Sequence, residues 1–227
     1  MTVLQAVNEE NLWIEVRPDS PFRHRGETAA REGNLLPALF LDRDGVVVEE
    51  VNYLSSPEDV ALEAGVASQI AEANAAGIPV VLVTNQSGLA RGYFEWADFA
   101  AVQERLHALL TAQGARLDMV LACPYHRDGQ RFVHANHPFR KPNPGMLLEA
   151  AGTLQLDLEK SVMVGDSLSD IQAAFNAGLR TAAHVLTGHG DGQRPLLEDW
   201  CAEQPGFTVL RLKGLEALSL RDCFGSR

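Results

Sequence analysis

The stretch Pro37-Ala38-Leu39-Phe40-Leu41-Asp42-Arg43-Asp44-Gly45-Val46-Val47 decides the fold. Its first half is a short apolar run that stops at a turn signal, which is typical of a buried strand. Asp42 and Asp44 then lie at the tip of this strand, and Gly45 lets the chain leave the tip in a backbone conformation that is closed to other residues. Because open α/β sheets bind ligands beyond the carboxyl ends of their strands, we expect the chemistry here.

Two carboxylates at one strand tip repel each other unless a cation holds them together. Mg²⁺ takes oxygen ligands, usually one or two carboxylates together with substrate phosphate and water. A turn or a helix cap would also use aspartate. It would leave two acids after a fully apolar strand unexplained, however, since unpaired carboxylates are rarely buried. Asp42 and Asp44 therefore predict a metal site that handles phosphate.

The composition of the chain is that of a globular protein. Its 227 residues fit one large domain, and a hydrophobic content of 46% is ample for a core. The formal charge of −11 argues against binding to nucleic acid, which relies on many lysines and arginines. Three cysteines suit a reducing compartment, and the sequence shows neither a signal peptide nor a long apolar run. We expect a soluble, cytoplasmic protein that does not bind membranes.

Strand and helix patterns alternate along most of the chain, which predicts an α/β fold: a Rossmann-like parallel sheet with helices on both faces. Alanine-rich or one-sided apolar segments predict helices over 65–76, 94–113, 145–154 and 169–177. Apolar runs predict the further strands over 78–83, 117–122, 161–165, 180–185 and 207–210. The glycine-rich segment 187–195 is predicted to be a loop.

The predicted organisation is an N-terminal extension over 1–36, followed by a single domain over 37–227 that carries a loop insert at 123–144. Residues 17–26 are polar, contain prolines and show no period, although Leu12-Trp13-Ile14 is apolar enough to pack on the body. The insert is polar, and a connection of that length inside a compact domain is usually functional or disordered.

Polar groups also follow the other predicted strands. Thr84-Asn85-Gln86-Ser87-Gly88 offers a hydroxyl and successive backbone N–H groups that suit phosphate oxygens, although an ordinary turn with a hydroxyl cap would look the same. Lys141 alone would be read as a surface lysine, but one cation is needed to offset the acids and the phosphoryl charge. Asp166 and Asp170 open a helix, and a third carboxylate would complete a Mg²⁺ site.

The two acids of the first strand divide the work if the ligand is a phosphate ester. Asp42 would be the nucleophile, because a carboxylate can attack phosphorus and form an aspartyl-phosphate, which splits the displacement into two steps. Asp44 would protonate the leaving oxygen and later deprotonate the attacking water.

In this order, the groups resemble the motif series of the haloacid dehalogenase (HAD) superfamily of aspartate-nucleophile phosphotransferases, over residues 39–190. The series is Asp-x-Asp-Gly-Val, a strand ending in Thr, a Lys and Gly-Asp-x-x-x-Asp. Longer segments, such as Val-Thr-Asn-Gln-Ser-Gly-Leu-Ala-Arg-Gly and Arg-Lys-Pro-Asn-Pro-Gly-Met, resemble the histidinol-phosphate and D-glycero-D-manno-heptose-1,7-bisphosphate phosphatase branch. The resemblance implies a HAD-like fold without a large cap domain and a small phosphorylated polyol or sugar as substrate.

The resemblance also implies a role for each matching residue. Asp42, Asp44, Thr84 and Lys141 would be the catalytic residues, the last two holding the phosphoryl group. Mg²⁺ would bind the Asp42 carboxylate, the Asp44 backbone carbonyl and Asp166. By their positions in the branch, the substrate-binding residues would be Asn85, Gln86, Ser87, Arg91, Arg140, Glu50, Asn52 and Tyr53. Two arginines fit a bisphosphorylated substrate, since arginine binds anions through paired hydrogen bonds.

The chain departs from the branch in the 123–144 insert, where members often carry a structural zinc bound by Cys-x-His and a later Cys-x-Cys. Here His126 stands one place late after Cys123, and Phe139 stands where a thiolate is expected. Four candidate ligands remain that could bind Zn²⁺ in tetrahedral geometry, namely Cys123, His126, His134 and His137. Because phenylalanine cannot ligate a metal, loss of the zinc is the favoured alternative.

The sequence thus predicts a monomeric hydrolase of carbohydrate metabolism: a Mg²⁺-dependent phosphatase for a sugar bisphosphate such as D-glycero-D-manno-heptose 1,7-bisphosphate. A histidinol-phosphate phosphatase is the alternative among enzymes, with Glu49, Glu50 or Glu58 near the cationic amine of its substrate. A non-catalytic module that binds a phosphate ligand is the alternative in a different class. That module predicts a missing nucleophile or acid, whereas both are present.

Overall fold

The computed structural model describes residues 6–23 and 35–225, which form an α/β fold around a seven-stranded sheet. The strands lie in the order β1-β4-β3-β2-β5-β6-β7, and every neighbouring pair is parallel except β1 with β4. Their bounds are Trp13–Val16 (β1), Leu39–Leu41 (β2), Val80–Asn85 (β3), Met119–Cys123 (β4), Val162–Gly165 (β5), Thr181–His184 (β6) and Thr208–Arg211 (β7). The predicted Rossmann-like parallel sheet is confirmed for β2 to β7, and the antiparallel β1 is an addition to it.

Helices connect the parallel strands. The α-helices of the described residues are Val66–Ala75 (α1), Ser87–Arg91 (α2), Trp96–Thr111 (α3), Gly145–Leu154 (α4), Leu168–Asn176 (α5), Gly190–Ala202 (α6) and Leu220–Phe224 (α7). In 6–23 and 35–225, no helix is both long and apolar enough to cross a membrane.

Alternation along β2 explains why its sequence is apolar at every position. Leu39 and Leu41 belong to the core on one face of the sheet, together with Phe99 of α3. Phe40 belongs to the core on the other face, together with Leu147 of α4. Successive side chains of a strand point to opposite faces, so a strand that is covered on both faces has no place for a polar side chain. The helices therefore cover both faces, as predicted.

The two longest segments at the carboxyl ends of the strands are loops and not a folded domain. Between β2 and α1 the chain contains a single 3₁₀ turn, Pro57–Asp59, and the insert from 124 to 144 contains no helix. Across the described part of the chain no large cap domain interrupts the fold, in agreement with the prediction. The predicted loop over 187–195 is wrong from Gly190 onward, because α6 begins there and buries Leu197 despite its glycines and Pro195.

Part of the N-terminal segment joins the sheet, which differs from the expectation that 1–36 lies outside the core. β1 pairs with β4 in antiparallel register, with Trp13 opposite Ala122, and the side chains of Leu12 and Trp13 are buried. The buried Asp118 carboxylate fastens the following turn, because it accepts hydrogen bonds from Ser20 Oγ at 2.8 Å and from the backbone N–H of Val80 at 2.9 Å. Sequence reasoning missed this strand because four residues carry little signal. The boundary at residue 36 stays a prediction, and residues 1–5 and 24–34 lie outside the described residues.

Replacing Trp13 by alanine should destabilise the protein by about 3–5 kcal/mol, the range for truncating a buried aromatic side chain. The Trp13 ring packs against Trp96 and Phe99, with ring centroids 5.8 Å and 5.1 Å away, and it closes the core beneath β1. Urea denaturation measures the loss. Leu148→Ala, at a side chain that is 49% exposed, is the control and should cost less than about 1 kcal/mol. Equal stability of the two variants would contradict the assignment of β1 to the core.

Candidate active site

The carboxyl ends of β2, β3 and β5 meet at one edge of the sheet, because these strands are parallel neighbours. Asp42 follows β2, Thr84 lies near the end of β3, and Asp166 follows β5. These side chains line one cavity of about 270 Å³, together with Lys141 from the insert and Asp170 from α5. The structure thus brings together the polar groups that the sequence placed at the strand ends or in the segments that follow them.

Lys141 lies among the acids of this cavity. Its Nζ is 2.7 Å from Asp42 Oδ1, 2.6 Å from Asp170 Oδ1 and 2.9 Å from the carbonyl oxygen of Val83. Burial alone would lower the pKa of Lys141, but the attraction of Asp170 and Asp42 outweighs it and raises the pKa above the usual range of lysine. The side chain is therefore a fixed positive charge, as a ligand for phosphoryl oxygens requires.

Asp42, Asp166 and Asp170 form a compact acidic group, in which one carboxylate oxygen from each lies within 4.8 Å of the others. Burial raises the pKa of Asp42 well above its usual value, opposed by Lys141 and reinforced by Asp170 and Asp166. Burial and the charge of Asp170 raise the pKa of Asp166 to about 6. Three hard oxygen donors whose mutual repulsion a cation would relieve fit Mg²⁺.

The Mg²⁺ ligand set predicted from the sequence differs from this group at one position. The side chain of Asp44 does not belong to it, and the predicted contribution of the Asp44 backbone carbonyl stays a prediction. Asp170, the second acid of the Gly-Asp-x-x-x-Asp motif, takes that position in the acidic group. Its Oδ2 also accepts hydrogen bonds from the backbone N–H and the hydroxyl of Ser167, at 3.0 Å and 2.7 Å, which fixes the carboxylate at the start of α5.

Two glycines make room for the carboxylate of Asp166. Gly45 and Gly188 have φ angles of +77° and +57°, and a Cβ atom on either of them would overlap Asp166 Oδ2. The same oxygen accepts a hydrogen bond of 2.7 Å from the backbone N–H of His189. The expectation that Gly45 leaves the strand in a conformation closed to other residues is confirmed.

Six of the eight predicted substrate-binding residues line the same cavity, namely Glu50, Asn52, Tyr53, Asn85, Gln86 and Ser87. The side chain of Asn85 is used inside the protein, since it accepts a hydrogen bond from the backbone N–H of Lys141 and donates one to its carbonyl oxygen, at 3.0 Å and 3.1 Å. This pair holds the insert against the end of β3 and so places the lysine. The predicted contacts of the six residues with substrate stay predictions.

The remaining two, Arg91 and Arg140, belong to a basic region beside this cavity. Arg140 lines a second cavity of about 360 Å³ with His126 and Arg127, and Lys141 lines both cavities. Arg91 Nη2 lies 3.5 Å from His126 Nε2. Burial lowers the pKa of Arg140, and the charges of Arg91 and Arg127 lower it further. Crowding of like charges at a partly buried site is what an anion would relieve.

The four candidate zinc ligands of the insert are not assembled into a metal site. Among the described residues, the acidic group above is the one set of three or more close metal-ligating side chains. The Nδ1 atoms of three histidines instead accept hydrogen bonds from the backbone N–H groups two residues onward, and these are His126, His134 and His137. The ring of His137 stacks on Tyr125 with centroids 4.1 Å apart. Burial raises the pKa of the Cys123 thiol to about 11 in the metal-free protein.

Two ionisable residues that line the cavity, Arg43 and His189, were given no role from the sequence. Arg43 is 1% exposed, and it binds the carboxylate of Asp44 through Nε at 2.9 Å and Nη2 at 3.0 Å. Its place between two acids was the available signal. His189 also lines the cavity, and its Nε2 is 3.8 Å from Glu50 Oε1. Burial raises the pKa of Glu50, and the negative charge of Asp44 raises it further. Nothing in the glycine-rich sequence around His189 distinguished it.

Comparison with known proteins agrees with this geometry. Residues 138–213 match the family model of HAD-hydrolase-like proteins. A D-glycero-beta-D-manno-heptose-1,7-bisphosphate 7-phosphatase from Mesorhizobium japonicum is 49% identical over 179 residues, which cover 78% of this chain and 77% of the relative.

Two solved structures are also similar. One, from Mesorhizobium loti and described as a HAD-like phosphatase, has 47% identity and a TM-score of 0.72 over 79% of this chain and 82% of that chain. The other is the D,D-heptose 1,7-bisphosphate phosphatase of B. bronchiseptica in complex with magnesium and phosphate. It has 34% identity and a TM-score of 0.68 over 80% and 95% of the two chains.

Mg²⁺ should raise the melting temperature of the protein more at pH 7.5 than at pH 5. The pKa of Asp166 is about 6 in the folded protein against an ordinary value of 3.8. The contribution of this carboxyl to stability is thus complete below pH 3.8 and is lost as the pH rises through about 6. At pH 7.5 the metal-free protein contains ionised acids that repel one another, and Mg²⁺ binds this ionised form.

Thermal melts with and without Mg²⁺ at the two pH values measure this difference. Asp166→Asn is the control, because it removes one titrating ligand and should reduce both the Mg²⁺ effect and its pH dependence. A Mg²⁺ effect that is equal at pH 5 and pH 7.5 would contradict the acidic group as the metal site.

Proposed function

The chain belongs to the HAD-like phosphatases, in the family of the heptose-1,7-bisphosphate 7-phosphatases, and on this basis we propose that it removes the 7-phosphate of D-glycero-D-manno-heptose 1,7-bisphosphate. The observation that carries this proposal is the pair of cavities that share Lys141. One contains a nucleophile, an acid and a metal site. The other contains cations for a second phosphate.

The first chemical step is derived from the groups around Asp42. The phosphoryl group would lie against Lys141 and the hydroxyl of Thr84. That hydroxyl accepts a hydrogen bond of 2.8 Å from Gln86 Nε2, so its own proton is free to be donated to a phosphoryl oxygen. A bond forms from the Asp42 carboxylate to phosphorus while the bond from phosphorus to the sugar oxygen breaks, and Asp44 gives its proton to that oxygen.

The second step returns both acids to their starting state. Asp44 takes a proton from a water molecule, which attacks phosphorus and breaks its bond to Asp42, so that inorganic phosphate leaves. Asp42, Asp166 and Asp170 would hold a Mg²⁺ ion, which would supply positive charge against the phosphoryl oxygens and so lower the repulsion that the nucleophile meets.

The second phosphate is assigned to Arg140 and its neighbours. Arg140 is held in place by a hydrogen bond of 3.0 Å from Nη1 to the carbonyl oxygen of Tyr125. Its other nitrogens and Arg127 can then bind phosphate oxygens with charge-assisted hydrogen bonds. A histidinol phosphate would instead place an ammonium group near these cations, which repel it, although Glu50 offers one carboxylate in the first cavity. We also propose that the enzyme is monomeric and works in the cytoplasm.

Phosphate release with Mg²⁺ tests the substrate. We expect kcat/KM to be highest for heptose 1,7-bisphosphate, with preference for the β anomer. For the corresponding 7-monophosphate and for histidinol phosphate, kcat/KM should be at least about 10-fold lower. The reason is that each of them lacks the second phosphate, whose charge-assisted contact contributes about 1.5–3 kcal/mol. A preference for histidinol phosphate would overturn the sugar assignment and direct attention to Glu50. Slow turnover of all three would reject the named substrates and retain the mechanism.

Asp42→Asn should fold and should abolish turnover, because an amide does not attack phosphorus. The melting temperature checks folding, and phosphate release from any phosphomonoester checks activity. Asp44→Asn should slow turnover as well, most for substrates with poor leaving groups. Wild-type activity in Asp42→Asn would show that the nucleophile is assigned wrongly.

Arg140→Met should raise KM for the bisphosphate about 10- to 100-fold, the range of a lost charge-assisted hydrogen bond, and should leave KM for a monophosphate unchanged. Arg180→Met is the matched control, because the side chain of Arg180 is 74% exposed and pairs with Glu159. Steady-state kinetics with both substrates measures the difference. An equal rise in KM for both substrates would contradict the second phosphate site.

A further inference from the structure

The carboxylate of Asp44 is held by two neighbouring side chains. Arg43 donates from Nε to Oδ1 at 2.9 Å and from Nη2 to Oδ2 at 3.0 Å, and Gln86 donates from Nε2 to the same Oδ2 at 2.9 Å. Three of the four lone-pair positions of the carboxylate are thus occupied, both of those on Oδ2 and one on Oδ1. The remaining position, on Oδ1, is the one that can carry a transferable proton.

The side chain of Gln86 is used completely inside this network. Its Nε2 donates to Asp44 and, at 2.8 Å, to Thr84 Oγ1, while its Oε1 accepts a hydrogen bond of 3.2 Å from Arg43 Nη2. Only this orientation of the amide pairs each donor with an acceptor. With both N–H groups engaged and the residue 4% exposed, Gln86 has no donor left for a substrate.

Packing restrains the side chain of Arg43. Its side chain is 1% exposed, and its guanidinium lies over the ring of Phe99, 5.4 Å from the ring centroid. Its backbone carbonyl accepts hydrogen bonds from Val47 and Val48, at 2.9 Å and 3.0 Å, which fixes the turn after β2. The planar guanidinium can therefore keep the Asp44 carboxylate in one orientation.

We propose that Arg43 and Gln86 are positioning residues that hold Asp44 for proton transfer through Oδ1. In the first step, the proton on Oδ1 moves to the sugar oxygen as that oxygen leaves phosphorus. In the second step, Oδ1 takes a proton from the attacking water. The positive charge of Arg43 offsets the negative charge that Asp44 acquires between these steps. This assignment replaces the predicted contact of Gln86 with substrate, and it rests on the proposed phosphatase function.

Leaving-group dependence separates positioning of the acid from general damage. A p-nitrophenolate leaves without being protonated, whereas the alkoxide of a sugar or of glycerol needs the proton of Asp44. Arg43→Met should lower kcat for an alkyl phosphate about 100-fold, the lower end of the range of general acid catalysis. Gln86→Met, which removes one hydrogen bond to Asp44, should lower it about 10-fold, since one hydrogen bond to a charged group contributes about 1.5–3 kcal/mol. Both should lower kcat for p-nitrophenyl phosphate several-fold less, and KM should be unchanged. Arg43→Lys, which keeps the charge and loses the paired geometry, should lie between Arg43→Met and the wild type.

Arg194→Met is the matched control, since Arg194 makes internal hydrogen bonds of 3.1 Å with both Nδ1 and the carbonyl oxygen of His184. It should lower the melting temperature and change the rates for both ester classes by the same factor. Equal losses on alkyl and aryl esters in the Arg43 and Gln86 variants would overturn the proposal. So would a higher KM with unchanged kcat in Gln86→Met, because that result would restore the substrate contact.

The kinetic test of the positioning residues does not depend on a single variant or on a single substrate. If Arg43→Met does not fold, Gln86→Met and Arg43→Lys still test the network. If the wild type does not act on the heptose bisphosphate, glycerol phosphate provides the alkyl ester, and the proposed substrate fails separately. Activity of the wild type that does not exceed that of Asp42→Asn on any ester would instead be failure of the proposed function.

Discussion

The cluster of charges formed by Lys141 with Asp42 and Asp170 is the interaction on which the rest of this site depends. A single buried charge costs several kcal/mol, and the cost is offset only where opposite charges and hydrogen bonds surround it closely. Asp42 comes from the end of β2, Asp170 from α5 and Lys141 from the insert after β4. Burying any one of these three charges without the other two would cost several kcal/mol. The cluster therefore forms only when β2, α5 and the insert are all in place.

Much of the cavity wall serves to place other residues. Asn85 fixes the backbone of Lys141, and the close approach of Gly45 and Gly188 gives Asp166 its place. Side chains of this kind resemble substrate contacts when only their positions in the chain are known. Their hydrogen bonds in the folded protein distinguish the two roles, because an amide whose N–H groups are both engaged inside the protein, as in Gln86, cannot also donate a hydrogen bond to a ligand.

The sequence was sufficient to predict the structure where the residues concerned lie close together in the chain or follow a known order of motifs. The apolar run before Asp42 predicted a strand that is buried on both faces, and the order of the polar groups at the strand ends predicted the cavity. It was insufficient where contacts between residues that are distant in the sequence determine the local conformation. The four residues of β1 become a strand because β4 offers an open edge, and Gln86 turns toward Asp44 because Arg43 is beside it. The histidines of the insert could be counted from the sequence, but their hydrogen bonds to the backbone could not.

The antiparallel strand β1 also bears on how the protein behaves at high concentration. A sheet edge with unpaired N–H and C=O groups is a template for a strand of another molecule, and natural proteins cover or charge such edges. β1 covers the edge of β4 with the chain's own N-terminal residues. At the opposite end of the sheet, β7 is four residues long and contains Arg211, whose guanidinium binds the carboxylate of Glu198. β1 is in turn the edge of the sheet, but it is only four residues long, and Val7 pairs with Trp13 in an isolated bridge. Loss of β1 would therefore expose the edge of β4, a strand of wholly buried residues, to pairing with a strand of another molecule.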